Sequence, residues 1–156
     1  MDTVTRLCSL LEEEKQQFLE YEQATLALLD CDADAAEQYI TQRGALANQI
    51  DALIEEMARL CDGEPSGEVL LQAAKGSIDF ERVPSEYHCV FYAGQAVRSV
   101  IHRIGQTEKQ AMERLETMRE DALSQIRRNQ NLPKIKKYLT DLGSGQGEVS
   151  LTDGKA

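Results

Sequence analysis

The chain has no tryptophan, and its 156 residues include only three phenylalanines and five tyrosines. So few rings cannot build the aromatic-rich interior of a sandwich or an α/β sheet protein. The hydrophobic share of 42% is still enough for an aliphatic, thin core of the kind that joins helices. Proline occurs three times, and Pro65 and Pro84 bracket a single region. No apolar run approaches the ~20 residues that a membrane-spanning helix needs; the longest is Cys89 to Gly94. No apolar leader precedes the first helix, because Glu12, Glu13, Glu14 and Lys15 arrive at once. Neither a P-loop nor a GxGxxG occurs, and no Glu-x-x-His pair of the di-iron type is present. Cys8, Cys31, Cys61 and Cys89 have no metal-type spacing. Four unpaired thiols suit a protein of the reducing cytoplasm.

Charge is unevenly placed. The formal net charge is −10, and residues 1–63 carry all of it, with 14 acidic and 4 basic residues. The remainder is balanced. Within it, Ile126 to Tyr138 holds Arg127, Arg128, Lys134, Lys136 and Lys137 and no acidic residue. An acidic arm joined to a body that ends in a basic segment excludes a nucleic-acid binder that uses its whole surface.

Helical periodicity dominates what is present. From Asp34 to Leu60, Tyr39, Leu46, Ile50, Leu53, Met57 and Leu60 recur in steps of three and four, with Arg43 the polar member of the row. This spacing predicts one apolar stripe on a helix. A stripe this narrow needs partner helices. One precedes it over residues 3–29, where Val4, Leu7, Leu11, Phe18, Thr25 and Leu28 keep a period of 3.5 and Glu14 and Tyr21 complete the row. Asp2 or Thr3 caps this first helix. A charge at Glu14 costs stability in the seam and reads as a register device. The short acidic connection from Asp30 to Ala33 forces the two helices antiparallel. Asp34, with Glu37 three residues on, has the spacing of a capping box for the second helix. Tyr21 and Tyr39 fall near the closed end of this hairpin and read as aromatic packing.

Residues 62–84 read as an ordered connector that carries the chain back along the hairpin. It contains two helical turns from Glu68 to Lys75, a stop at Gly76, and Phe80 as the pin to the bundle. Ser85 then caps a third helix over Glu86–Asn129. There Val90, Val97, Ile101, Ile104, Ala111, Leu115, Met118, Ala122 and Ile126 hold heptad phase. Gly105, followed by a second capping-box spacing at Thr107 and Gln110, offers a break; the unslipped phase favours a continuous helix. The predicted fold is all-α: an elongated antiparallel helical hairpin with a third, longer helix packed along it. Residues 1–142 form the helical domain, and the Gly-rich 143–156 a disordered tail.

Catalytic constellations are lacking. His88 and His102 are about 21 Å apart at helical rise and cannot share a metal, and a Cys–His pair at His88 and Cys89 has no orienting partner. The expectation is a non-enzymatic protein with no metal and no cofactor. The basic piece 126–142 is the most distinctive feature. After Pro133 it sets Ile135, Tyr138, Leu139 and Leu142 on one side and Lys136 and Lys137 on the other. That face suits a phosphate, an acidic membrane surface or a partner's groove, or docking back onto the bundle.

Residues 7–60 resemble the flagellar export chaperones of the FlgN type. The resemblance lies in LCSLLEEEKQQFLEYEQATLALL, the acidic turn DCDAD, and YITQRGALANQIDAL, with Ile40, Arg43, Leu46 and Ile50 at the matching steps. It implies a cytoplasmic chaperone of bacterial flagellum biogenesis and protein export. Such a protein binds a hook-associated client and keeps it soluble through its C-terminal amphipathic segment. By position, that segment comprises Ile126, Ile135, Tyr138, Leu139 and Leu142. The other reading of the same helices is a structural coiled coil that forms a homodimer. Both need the seam at Leu53. Leu53→Asp places an unpaired charge in it and is expected to abolish the cooperative thermal transition followed by circular dichroism; an unchanged melting curve would mean that the stripe faces solvent.

Overall fold

A computed structural model of the protein describes residues 2–129. The described residues are all-α: α1 (Thr3–Ala27), α2 (Ala33–Asp62), α3 (Gly67–Lys75) and α4 (His88–Asn129), with 3-10 turns at Phe80–Arg82 and Ser85–Tyr87 before α4. The chain divides into two units, residues 1–114 and 115–156. The expected amphipathic piece at 134–142 and the tail at 143–156 lie outside the described residues.

Within the first unit, α1 and α2 pack closely as an antiparallel pair. Thr3 bonds Glu64, Arg6 pairs with Glu56, and Arg43 reaches Tyr21, so one helix advances as the other recedes. Asp2 caps α1 by accepting from the Thr5 N–H at 2.7 Å. Asp32, rather than Asp34, caps α2, accepting from the Ala35 N–H at 2.8 Å. The cap residue needs extended backbone, and Asp32 has it with φ −84° and ψ 174°. Asp34 lies in the first turn, where its charge meets the positive end of the helix dipole instead. The row read from α2 is the buried one at Leu46, Ile50, Leu53 and Met57, and the helix runs on to bury Cys61.

The connector departs from its expected path. It does not carry the chain back along the hairpin but stays at the end where α1 begins and α2 finishes. Gly67 opens α3 so near the end of α2 that a Cβ there would lie 1.8 Å from the Cys61 carbonyl oxygen. Gly76 ends α3 in the left-handed region at φ 72°, a conformation that costs glycine little. Phe80 pins the next turn to the start of α4, with ring centroids 4.4 Å from His88, 5.2 Å from Phe91 and 5.5 Å from Tyr92. Ser85 opens a 3-10 turn ahead of α4, which starts only at His88, and Tyr87 within that turn bonds Ser66.

Starting from that end, α4 runs parallel to α1. Cys8 meets Cys89, Glu22 meets Arg103 and the Cys31 carbonyl meets Arg114, so both chains advance together. α4 is continuous through Gly105, consistent with the unslipped heptad phase. The largest buried cluster lies where the four helices meet: Leu7, Leu10 and Leu11 from α1, Leu53, Met57 and Cys61 from α2, Leu70, Ala73 and Ala74 from α3, and Val90 and Val97 from α4. Each large aliphatic side chain buried there contributes about 1.5–3 kcal/mol.

In the second unit the described residues are the last turns of α4. None of residues 115–129 is buried: Leu115, Met118 and Leu123 are half-buried, and Ala122 and Ile126 are exposed.

The glycines separate into two kinds. A Cβ on Gly94 would lie 2.1 Å from the Ala74 carbonyl oxygen, whereas one on Gly44 or Gly105 would meet nothing within 4 Å. Gly44→Ala and Gly105→Ala are therefore expected to raise stability by about 0.5–1 kcal/mol each, and Gly94→Ala to lower it by at least as much by forcing α3 from α4. Urea denaturation of the three variants checks the ordering, and a destabilised Gly105→Ala would refute it.

Candidate binding groove

A groove opens between α2 and α4 in the first unit, with α1 as its floor. Leu11, Glu14, Phe18 and Tyr21 form that floor. Their spacing of three, four and three places them on one stripe of α1. Ile54 and Met57 of α2 face Val97 and Ile101 of α4 across it, and Leu71, Ala74 and Lys75 of α3 close one end. The deeper part is a cavity of about 210 Å³. A shallower one of about 340 Å³ continues past Ile54 towards Ile50, Ile104 and Glu108. From Leu11 to Tyr21 the trough is about 15 Å long at helical rise. Its rim carries two large apolar side chains left in the open, Ile54 at 40% and Ile101 at 42% exposed.

Glu14 is the unusual member. It is 6% exposed, and no hydrogen bond or ion pair reaches it among the described residues. No side chain of α2 answers it among the described residues. Burial pushes its carboxyl from 4.5 up to about 7, since a charge without water or a partner is disfavoured.

Charged groups stand at both ends of the groove. At the α3 end, Arg98 donates to the Ala74 carbonyl oxygen at 3.1 Å and lies over the Phe91 ring, beside Lys75. At the other end, the Arg43 guanidinium donates to both Glu108 carboxylate oxygens, at 2.6 and 2.9 Å, and to the Tyr21 hydroxyl at 2.7 Å. It also stands 4.7 Å from the Tyr21 ring centroid. Tyr21 thus serves as a polar anchor joining α1 to α2 rather than as simple packing. Farther along, Arg103 grips Glu22 with two bonds of 2.9 Å and holds its carboxyl below the usual range. Asp51 lies exposed on the α2 side.

Of the residues expected to bind a client, Ile126 stands on α4 at 39% exposure. Ile135, Tyr138, Leu139 and Leu142 lie outside the described residues. The two histidines stay apart. His88 stacks on Phe80 and its Nε2 lies 3.1 Å from the Val83 carbonyl oxygen, and exposed His102 contacts Gln106. Cys89 neighbours Cys8 rather than pairing with His88, and burial, then the Cys89 contact, pushes the Cys8 thiol up to about 12. Among the described residues no cluster of three metal-ligating side chains occurs, and no helix is long and apolar enough to cross a membrane. Set against known protein families, characterised proteins and solved structures, the chain matches none. What the groove offers is an apolar trough with one buried, unpartnered carboxyl on its floor, an arrangement suited to holding an apolar surface.

Sequence reasoning missed this groove. Its signal was Glu14 standing in an apolar row, together with Ile54 just beside the α2 stripe rather than in it.

The Glu14 carboxyl has a consequence for stability. Its folded value, about 7, exceeds the ordinary 4.5, so the folded state holds the proton more tightly. Below the lower value there is no cost; across the window stability falls as pH rises, by at most about 1.4 kcal/mol per pH unit. Glu14→Gln is expected to remove that slope and to exceed the parent in stability at pH 8. Parallel urea titrations from pH 4.5 to 8 measure the difference; two parallel curves would show that Glu14 is solvated.

Proposed function

We propose that this chain is a non-enzymatic, cytoplasmic export chaperone of the FlgN type that binds a hook-associated-type protein and keeps it soluble. The observation that carries the reading is the unburied apolar stripe at the end of α4. Leu115, Met118, Ala122 and Ile126 keep heptad phase, yet none is buried, and Arg127 and Arg128 follow directly. An apolar stripe on a helix is stable in water only at a cost, and a partner helix removes the cost by covering it. The basic residues beside it favour an acidic client surface and speed its capture. Four free cysteines among the described residues agree with a reducing compartment. The same heptad phase favours a second reading, in which two copies cover one another's stripe as a homodimer.

Co-expression of the full chain with a hook-associated protein, followed by size exclusion with light scattering, separates the two. The expected result is a heteromeric complex with the parent. Ile126→Asp combined with Leu139→Asp should lose it while the melting temperature stays the same. If the parent forms only a homodimer and those substitutions disperse it, self-association is the function. If the complex survives them, the client sits elsewhere.

A further inference from the structure

We propose that the groove floored by α1 receives one amphipathic helix of a partner protein, carrying a lysine or arginine on its apolar face at the point where it crosses Glu14. This inference concerns the first unit and does not rest on client binding by the end of α4.

Shape comes first. The floor residues Leu11, Glu14, Phe18 and Tyr21 are spaced as one helical stripe, and the two cavities above them share Ile54 as a lining residue. A trough of about three helical turns between two helices is the setting in which a further helix packs. A compact ligand would fill only one of the two cavities, whereas a helix laid along α1 reaches both.

Charge selects the residue. Glu14 is nine-tenths buried and without a partner, and it lies on the floor of the cavity. A lysine or arginine reaches such a depth on its apolar stem, keeps contact with Ile54 and Met57 on the way, and supplies the missing donor. A purely apolar helix would seal the carboxyl away from water without a partner, which is unfavourable. One end of the groove sets direction. Lys75 and Arg98 at the α3 end suit the carbonyl end of the arriving helix.

The charged groups that line the same cavity as Glu14 are Lys75 from α3 and Arg98 from α4; the α2 wall there presents Ile54 and Met57. The carboxyl must ionise to pair with the incoming cation. Affinity is therefore expected to rise with pH up to about 7 and to level beyond it.

The test is a phage-displayed library of 14-residue amphipathic helices with one randomised position at the centre of the apolar face. It is panned on the full chain at pH 8. The expected outcome is enrichment of lysine or arginine at that position. In fluorescence anisotropy the selected peptide should bind at least ten-fold tighter than its norleucine counterpart. That preference should vanish against Glu14→Gln, which keeps the fold, and shrink at pH 5.5. Ile54→Lys, at an exposed rim position, should weaken both peptides. A photoreactive group at the peptide's C-terminal end should cross-link near Lys75. The proposal is overturned if no helix is enriched, if the enriched residue is apolar or acidic, or if the lysine preference survives Glu14→Gln. It is also overturned if the groove proves to be occupied by a second copy of this chain, seen as a dimer that Ile54→Lys dissociates.

Discussion

The contact between Arg43 and Glu108 sets how α4 stands against the hairpin. The Arg43 side chain is only 11% exposed, so its charge must be answered within the fold. Removing one partner of such a pair leaves a charge stranded at a cost of several kcal/mol. Tyr21 from α1 and Glu108 from α4 answer it together, and one guanidinium thereby fixes three helices at a single level. Reaching across with a long side chain also holds α4 off. Arg103 to Glu22 and Arg114 to the Cys31 carbonyl repeat the device on either side. Helices joined by long polar side chains stand wider apart than helices joined by alanine and leucine, and the trough above α1 is the space that results.

The opposite end is built by the opposite means. There α3 is drawn in by close backbone approach, at Gly67 against Cys61 and at Gly94 against Ala74, and the aliphatic cluster fills what remains. The protein therefore has a tight end sealed by small residues and a looser stretch spaced by arginine. Both follow from the shortage of aromatic side chains. With no tryptophan and few rings, gaps between helices are either closed by bringing backbones together or bridged by ion pairs. Glu14 lies where the first regime gives way to the second.

How much of this was legible follows from which property each element depends on. The α2 stripe at Leu46, Ile50, Leu53 and Met57 was readable, because burial there depends on periodicity alone. So was the glycine stop at Gly76. The cap of α2 was misplaced by two residues, since Asp32 and Asp34 are equally good capping side chains and only backbone angles distinguish them. The connector's path was misread because chain direction after α2 depends on α3 packing at Gly67 and Gly94, which no local pattern encodes. Arg43 was noticed as the polar member of its row, but its partner is 65 residues away. Glu14 was seen in the seam, yet whether anything answers it depends on three helices at once. The groove was invisible for the same reason: Met57, Val97 and Ile101 in its walls are stripe positions that read as core, and Ile54 alone flanks a stripe.

The parallel alignment of α1 and α4 gives the protein an order in time. α1 and α2 are joined by a short turn, and such local pairings form early, including while a chain is still leaving the ribosome. The contacts of α4 with α1 and with the turn after it join residues 81 and 83 positions apart, and these wait until the chain has been made well past Glu108. Until then the floor of the groove exists and one of its walls does not. Glu14 stays open to water throughout that interval and becomes buried as the fold completes. A chain halted halfway is a bare hairpin without a trough, so anything that the trough holds distinguishes a completed fold from one still being made.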